Sequence, residues 1–238
     1  MRWCTYDFNS NCGRIGRGYF ELVFLTQTRK TLTMTYLLWK QWYANGARVF
    51  ANYHLYKIPY MFVGSMKTFN SIREGVFGGD ELWLNADSRS HSLAKIFVTN
   101  TLARSRKRDL IIYYTVQLLD SIDKRIKKVT DFMAIPYLNR EETICTVTFL
   151  RGTSGKPATY MKTMYFFTDP VKQMYNTYEE VIPWPENEEE STYPEDGKII
   201  FQESKDSEMK FFDSWDEAFA YAVDYYKKTR WLEKMLEG

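Results

Sequence analysis

The sequence is poor in residues that form covalent or metal cross-links. Its 238 residues include three cysteines and two histidines. Cys4, Cys12 and Cys145 are an odd, widely spaced set without a CxxC pair, which argues against a disulfide scaffold or a zinc ribbon. His54 and His91 lack the spacing of paired metal ligands. These absences argue against a cross-linked secreted scaffold and favour a reducing, cytoplasmic compartment.

Long apolar runs are also missing. The most apolar stretch, LIIYYTVQLL at 110–119, is far shorter than the roughly 18 residues that indicate a membrane-spanning helix. The amino-terminal residues contain no apolar run of signal-peptide length. We therefore expect neither a transmembrane segment nor secretion. Apolar residues still make up 45% of the chain, which is enough for a folded core.

The formal net charge of +2 conceals a strong asymmetry. Residues 1–140 contain 21 Lys and Arg against 10 Asp and Glu, a net charge of +11. Residues 141–238 contain 11 basic and 20 acidic residues, a net charge of −9. A basic body of this kind indicates a polyanionic partner.

The acidic part of the chain includes a stretch that differs from the rest in composition. PWPENEEESTYPEDG at 183–197 combines three prolines with many acids, which is typical of an extended linker. A short strand follows, and Ser214 and Glu217 have the spacing of a capping box at the start of a helix. We therefore divide the chain into a body, 1–182, and an acidic linker with a strand and helix, 183–238.

Strand and helix patterns alternate through the first 120 residues. The strand at 109–117 is apolar on both faces, as a central parallel strand is. The alternation predicts an α/β fold with a mainly parallel sheet, right-handed crossovers and helices on both faces. The predicted strands are 19–25, 47–55, 75–84, 109–117, 131–138, 144–150 and 158–167, and the main helices are 32–46 and 90–105.

The first candidate site is TQTRKT at 26–31, between a strand and a helix. The amides at a helix N-terminus attract a phosphate, Lys30 can neutralise it, and the Thr31 hydroxyl can ligate Mg²⁺. The usual phosphate-loop pattern is G-x-x-x-x-G-K-[ST], and Phe24 and Arg29 stand at its two glycine positions. An ordinary polar loop is the alternative interpretation.

Polar residues also follow two later strands. Asp80 and Glu81 come at the end of one strand, where one carboxylate can hold Mg²⁺ and the other can polarise the attacking water. Gln117 ends another strand, where its amide can reach a γ-phosphate. A solvated strand end and a strand-capping glutamine are the alternatives. Ligands of open α/β sheets bind at the carboxyl ends of the strands, so these residues and Lys30 are expected to converge.

Two basic runs flank the Gln117 strand. A solvated surface explains them most simply, but two functional roles are also open. One is an arginine that acts on the nucleotide of a neighbouring subunit, and the other is contact with DNA phosphates. The runs are Arg104, Arg106, Lys107 and Arg108 before the strand, and Lys124, Arg125, Lys127 and Lys128 after it.

At this point the chain resembles a known family. The order of strand, xxRKT and helix, followed by GGDELWLNADSRS, LARSRKRDL, IIYYTVQLLDSIDKRIKKVTDF and VKQMYNTYEEV, is similar to the FtsK/HerA superfamily of P-loop ATPases. It looks most like the small genome-packaging ATPases of viruses and the zonula-occludens-toxin-like assembly ATPases. The resemblance covers about residues 19–182, and 75–131 is its most specific part.

The resemblance implies a RecA-like P-loop fold that works as a homo-oligomeric ring, often a hexamer, and moves double-stranded DNA with ATP and Mg²⁺. Capsid or portal-type proteins are then expected partners. The resemblance implies that the nucleotide is bound by Thr28, Arg29, Lys30 and Thr31, and Mg²⁺ by Thr31 and Asp80. It implies that Glu81 is catalytic, that Gln117 is the sensor and that Arg106 or Arg108 acts in trans. The residues it implies for DNA binding are Lys124, Arg125, Lys127 and Lys128.

The departures from the phosphate-loop pattern leave two other functions open. Phe24 and Arg29 replace residues that normally allow close backbone approach, so a degenerate member could keep the fold as a structural or interaction protein without hydrolysing ATP. Alternatively, the protein is a virion-assembly or secretion ATPase whose acidic tail docks on a membrane or virion partner.

Overall fold

A computed structural model of the chain describes residues 21–24, 29–81, 106–115, 130–153, 156–181, 184, 191 and 193–231. The strands are β1 (Glu21–Phe24), β2 (Arg48–Ala51), β3 (Tyr60–Phe62), β4 (Gly75–Gly79), β5 (Leu110–Thr115), β6 (Phe132–Leu138), β7 (Ile144–Thr153), β8 (Lys156–Phe167), β9 (Ile199–Phe201) and β10 (Lys210–Phe212). The helices are α1 (Lys30–Asn45), α2 (Met66–Ser71), α3 (Thr168–Lys172) and α4 (Trp215–Thr229). None of the helices in these ranges is long and apolar enough to cross a membrane.

The described strands form one mixed sheet in the order β10-β9-β3-β2-β4-β5-β1-β6-β7-β8. The six central strands, from β3 to β6, run parallel to one another. Antiparallel strands extend the sheet on both sides, with β9 and β10 at one edge and β7 and β8 at the other. The α/β class with a parallel centre is therefore confirmed, and the apolar strand β5 lies in the interior of the sheet as predicted.

Side chains of β4 alternate between two hydrophobic clusters, one on each face of the sheet. Val76 belongs to the cluster that contains most buried residues of α1. Phe77 belongs to the other cluster, where its ring lies 4.8 Å from that of Phe69 in α2. Because successive side chains of a strand point to opposite faces, this alternation places α1 and α2 on opposite sides of the sheet.

The carboxyl-terminal part of the chain adds to the same sheet. β9 pairs with β3, with Tyr60 opposite Ile200, and the ring of Tyr226 in α4 lies 5.2 Å from that of Trp42 in α1. Ser214 caps α4 as its spacing predicts, accepting a hydrogen bond from the amide of Glu217. Residues 199–229 thus share the core of the preceding domain, and the division of the chain at residue 182 stays a prediction.

Helix α1 packs closely on β4 because Gly78 has no side chain. A Cβ atom at this position would lie 2.6 Å from Cδ1 of Leu38. Leu38 is completely buried, so its side chain cannot make room by turning into solvent. The glycine therefore sets how near the helix that begins with Lys30 lies to the strand that ends before Asp80.

We expect Gly78→Ala to destabilise the protein by about 1–3 kcal/mol, the usual cost of overpacking a core. Leu38→Ala removes the clashing atoms, so the double variant should be more stable than the sum of the two single changes predicts. Chemical denaturation of all four proteins measures this coupling. Strict additivity would show that the contact with Leu38 is not what excludes a side chain at Gly78.

Candidate nucleotide site

The carboxyl ends of four neighbouring parallel strands bring polar residues to one edge of the sheet. Asn52 follows β2, Asp80 and Glu81 follow β4, and Thr115 is the last residue of β5. Lys30 begins α1, the helix that follows β1. This edge is where open α/β sheets bind their ligands, and the structure brings Lys30, Thr31, Asp80 and Glu81 together there.

The Asp80 carboxylate is held by two hydroxyl groups. The Thr31 hydroxyl lies 3.0 and 2.9 Å from its two oxygens, and the Thr115 hydroxyl donates to Oδ1 at 2.7 Å. The Thr115 oxygen also accepts a hydrogen bond from the amide of Glu81 at 3.0 Å. A single carboxylate therefore connects the first turn of α1 with the ends of β4 and β5.

Asn52 fixes the backbone on which this carboxylate stands. Its Oδ1 accepts a hydrogen bond from the amide of Asp80 at 2.7 Å, and its Nδ2 donates to the Asp80 carbonyl at 2.8 Å. Asn52 is almost fully buried, so water does not compete for these bonds. The end of β2 thus holds the turn that follows β4.

Lys30 and Asp80 are partly desolvated, and their charges act on each other. Burial lowers the pKa of Lys30, while the carboxylates of Asp80 and Glu81 oppose this effect. Burial raises the pKa of Asp80, while the Thr115 and Thr31 hydroxyls and Lys30 oppose it. A cation bound near Asp80 or an anion bound near Lys30 would favour the charged form of each group.

Arg29 adopts the backbone conformation for which the phosphate-loop pattern uses glycine. Its φ of 67° is left-handed, a conformation that costs an L-residue with a side chain roughly 1–2 kcal/mol. The Arg29 guanidinium lies 2.6 Å from the carboxylate of Glu142. The backbone at this position is therefore left-handed although the residue is arginine and not glycine.

Glu142 reaches Arg29 from the turn between β6 and β7. The Asn139 side chain accepts hydrogen bonds from the amides of Thr143 and Ile144, which closes this turn. The Glu142 carbonyl accepts further bonds from Lys172 at 3.0 Å and from the Thr168 hydroxyl of α3. The partner of Arg29 is thus a residue on a fixed turn.

Several predicted site residues lie outside the described residues. They include the proposed sensor, the first loop residue and the basic run after the sensor strand, so their predicted roles stay predictions. These residues are Gln117, Thr28, Lys124, Arg125, Lys127 and Lys128.

The structure does not bring Arg108 to this edge. Arg108 precedes the amino end of β5, and the strand from Leu110 to Thr115 spans about 17 Å at the usual rise per residue, so Arg108 lies at the opposite end of β5 from Thr115. Its side chain is 6% exposed, and it donates to the Phe69 carbonyl at 3.3 Å and to the Asn70 side chain at 3.5 Å. In this conformation Arg108 supports α2, and its predicted action on a neighbouring subunit stays a prediction. Arg106 begins the same turn, and its side chain is outside the described part.

Asn52 and Thr115 are the site residues that sequence reasoning missed. Both are short polar residues at the ends of apolar strands, Thr115 within YYTVQ and Asn52 directly after RVFA. That position is the signal by which they could have been found, because the ends of parallel strands meet at one edge.

The oxygen atoms at this edge suit Mg²⁺. Magnesium binds carboxylate, hydroxyl and phosphate oxygens and retains several waters, and the Asp80 carboxylate and Thr31 hydroxyl already lie within hydrogen-bonding distance. No cluster of three or more His, Cys, Asp or Glu with metal-binding geometry exists among the described residues. A metal here would therefore depend on Thr31, Asp80, water and a ligand phosphate.

Comparison with known proteins shows similarity to solved structures but not to known sequences. No family model and no curated protein matches the sequence. Among solved structures, the chain is similar to the N-terminal domain of zonular occludens toxin from Neisseria meningitidis. The identity is 15%, the TM-score is 0.44, and the match covers 67% of this chain and 100% of that chain. Similarity at this level does not establish membership of a family.

The left-handed backbone at Arg29 gives a testable stability difference. Arg29→Gly and Arg29→Ala both remove the ion pair with Glu142, but only alanine keeps the steric cost of a positive φ. Glycine also makes the unfolded chain more flexible, which offsets part of this gain. We therefore expect the glycine variant to be more stable than the alanine variant by up to about 1 kcal/mol. Thermal and chemical denaturation measure the difference, and a more stable alanine variant would contradict the left-handed assignment.

Proposed function

We propose that the chain binds Mg²⁺-ATP at the carboxyl edge of its central sheet and hydrolyses it. The observation that carries this proposal is the contact between Thr31 and Asp80. It pairs a hydroxyl beside a lysine at a helix N-terminus with a carboxylate that follows a neighbouring parallel strand. This combination matches the chemistry of a phosphate and magnesium site.

The residues have separate roles in this proposal. The first amides of α1 and the Lys30 ammonium bind the phosphates, and the Thr31 hydroxyl and the Asp80 carboxylate hold Mg²⁺. The metal, when bound, neutralises phosphate charge and orients the transferred group. Glu81 accepts a proton from the attacking water, because it directly follows the metal-binding Asp80 and its backbone is fixed by Thr115.

We further propose that hydrolysis drives movement of double-stranded DNA by a RecA-like ring of FtsK/HerA type, as in a genome-packaging motor of a virus or mobile element. The support is the net charge of +11 in residues 1–140 and the basic runs that flank β5. In this proposal Gln117 senses the γ-phosphate, Arg106 or Arg108 is the candidate for action in trans, and a capsid or portal-type protein is the further partner.

One observation favours a second candidate, a member that keeps the fold without hydrolysis. The Arg29 guanidinium is paired with Glu142 at 2.6 Å, so part of the positive charge beside Lys30 is already neutralised. Together with the missing glycine at position 24, this contact would weaken phosphate binding. Such a protein would act through its structure or its partners.

The hydrolysis proposal predicts different effects at Lys30 and Glu81. Lys30→Ala should abolish Mg²⁺-ATP binding in calorimetry, because it removes the cation that faces the phosphates. Glu81→Gln should retain binding and lose hydrolysis by a factor of about 10²–10⁴, the usual contribution of a general base. Phosphate release with and without DNA measures the second effect.

Exposed residues on the same body provide matched controls for these variants. Lys67→Ala and Glu74→Gln make the same chemical changes on exposed side chains, and both should behave as the wild type does. Equal hydrolysis by wild type and Glu81→Gln would refute the catalytic role. Absence of both Mg²⁺-ATP binding and hydrolysis in the wild type would favour the second candidate, whereas binding that Lys30→Ala abolishes would exclude it.

The DNA proposal predicts an effect of salt concentration. Replacing Lys124, Arg125, Lys127 and Lys128 with Gln should weaken DNA binding and reduce the slope of log K against log salt by about 0.9 for each DNA phosphate that the variant no longer neutralises. A control with the same charge change uses four exposed lysines outside this run, Lys67, Lys205, Lys227 and Lys228. Equal slopes for the two quadruple variants would contradict DNA binding by the run at 124–128.

A further inference from the structure

His54 joins two acidic residues that are distant from it in the sequence. Its Nδ1 lies 2.6 Å from Oε1 of Glu179, and its Nε2 lies 3.1 Å from Oε1 of Glu195. Both Glu179 oxygens also accept the backbone amide of His54, at 3.2 and 3.0 Å. Glu179 comes before the proline- and acid-rich stretch at 183–197, and Glu195 lies near its end.

The geometry around the ring specifies its protonation state. A carboxylate accepts hydrogen bonds but does not donate them, so both ring nitrogens must carry a proton to bond both partners. A neutral imidazole has one N–H and can serve one carboxylate only. The two contacts of His54 are therefore those of an imidazolium between two carboxylates.

The surroundings of His54 favour this charged form. Burial alone lowers the pKa of the ring, but hydrogen bonds and charge interactions with Glu179 and Glu195 outweigh it and raise the pKa above the ordinary 6.5. Among the described residues, the ring also packs against Phe62 at 5.0 Å. Burial raises the pKa values of the nearby Tyr53, Tyr56 and Tyr60 phenols, and the Glu179 charge adds to this effect, so these phenols stay neutral.

Each of the two carboxylates stands on a segment with its own attachment to the body. The turn that carries Glu195 is fixed by Asp196, whose carboxylate accepts hydrogen bonds from the Gly64 amide and from the hydroxyls of Ser65 and Thr68 at 2.6–2.8 Å. The segment before Glu179 is attached to the loop that carries His54 itself, because Leu55 forms a bridge with Tyr175. His54 thus connects two anchored segments to the loop after β2.

That loop also positions the candidate nucleotide site. Asn52, two residues before His54, holds both backbone polar groups of Asp80. Between them, the Tyr53 hydroxyl lies 3.0 Å from the Thr35 hydroxyl of α1. His54 and the group that orients Asp80 therefore lie two residues apart on the same loop.

We propose that His54, Glu179 and Glu195 form a proton-dependent latch that couples the acidic carboxyl-terminal part of the chain to the position of Asp80. His54 is a positioning residue in this proposal, since it acts on Asp80 through Asn52. If Asp80 holds Mg²⁺, opening the latch would also change ATP turnover, and that consequence rests on the proposed function. The latch itself and its effect on Asp80 do not.

The latch has a defined dependence on pH. A group whose pKa is raised in the folded state contributes stability below its unfolded pKa and loses that contribution as the pH rises through the folded value. The latch is therefore closed where His54 is protonated and both carboxylates are ionised, and it loses one of its two ring hydrogen bonds as the pH rises above the His54 pKa. The backbone around Asp80 should change over the same pH range.

Nuclear magnetic resonance of the full chain tests both parts. The sequence has two histidines, so His91→Gln assigns the His54 ring signals directly. We expect His54 to titrate above the ordinary value and the Asp80 amide signal to shift with the same midpoint. Glu179→Gln should lower the His54 pKa and shift the Asp80 amide, whereas Glu180→Gln, on the exposed neighbouring residue, should change neither.

Two results would overturn the proposal. One is a His54 pKa that is the same in wild type, Glu179→Gln and Glu180→Gln. The other is an Asp80 amide signal that does not respond when His54 titrates. Glu195→Gln serves as the second latch variant if Glu179→Gln unfolds in thermal melts. These readouts need no nucleotide, so failure of ATP hydrolysis alone would refute the proposed function and leave the latch standing.

Discussion

The structure depends on the hydrogen bonds that hold the Asp80 carboxylate. This group is partly desolvated, and an unpaired carboxylate in such a position is costly. The hydroxyls of Thr31 and Thr115 satisfy it, while Asn52 satisfies the backbone on either side. These partners come from α1, β5 and the loop after β2. The hydrogen bonds to the side chain and backbone of Asp80 therefore fix how these three elements meet at the edge of the sheet.

The antiparallel strands at the two sides of the sheet supply the remaining supports of this edge. On one side, the turn between β6 and β7 carries Glu142 to Arg29. On the other side, the chain that leads into β9 carries Glu195 to His54. Both contacts join a charged residue of the central loops to an acid on a hairpin or turn outside the parallel core. The acidic half of the chain thus takes part in organising the basic half.

The sequence patterns predicted the parallel core and the convergence of Lys30 with Asp80, because apolar periodicity and strand ends are local signals. The placement of Asn52 was not predicted, since the strand before it is four residues long and its partner is distant in sequence. The only sequence signal for the left-handed backbone at Arg29 is its place at a glycine position of the phosphate-loop pattern, because arginine itself does not favour that conformation. The burial of Arg108 depends on α2, a helix of six residues, whose packing a charge pattern does not encode.

The decisive experiment is a structure of the chain with Mg²⁺ and a slowly hydrolysed ATP analogue. We expect the cation to lie against the Thr31 hydroxyl and to take the place of its hydrogen bonds to Asp80, with a phosphate beside the Lys30 ammonium. An analogue bound elsewhere, with the contact between Thr31 and Asp80 intact and no phosphate at Lys30, would show that this edge is not the nucleotide site.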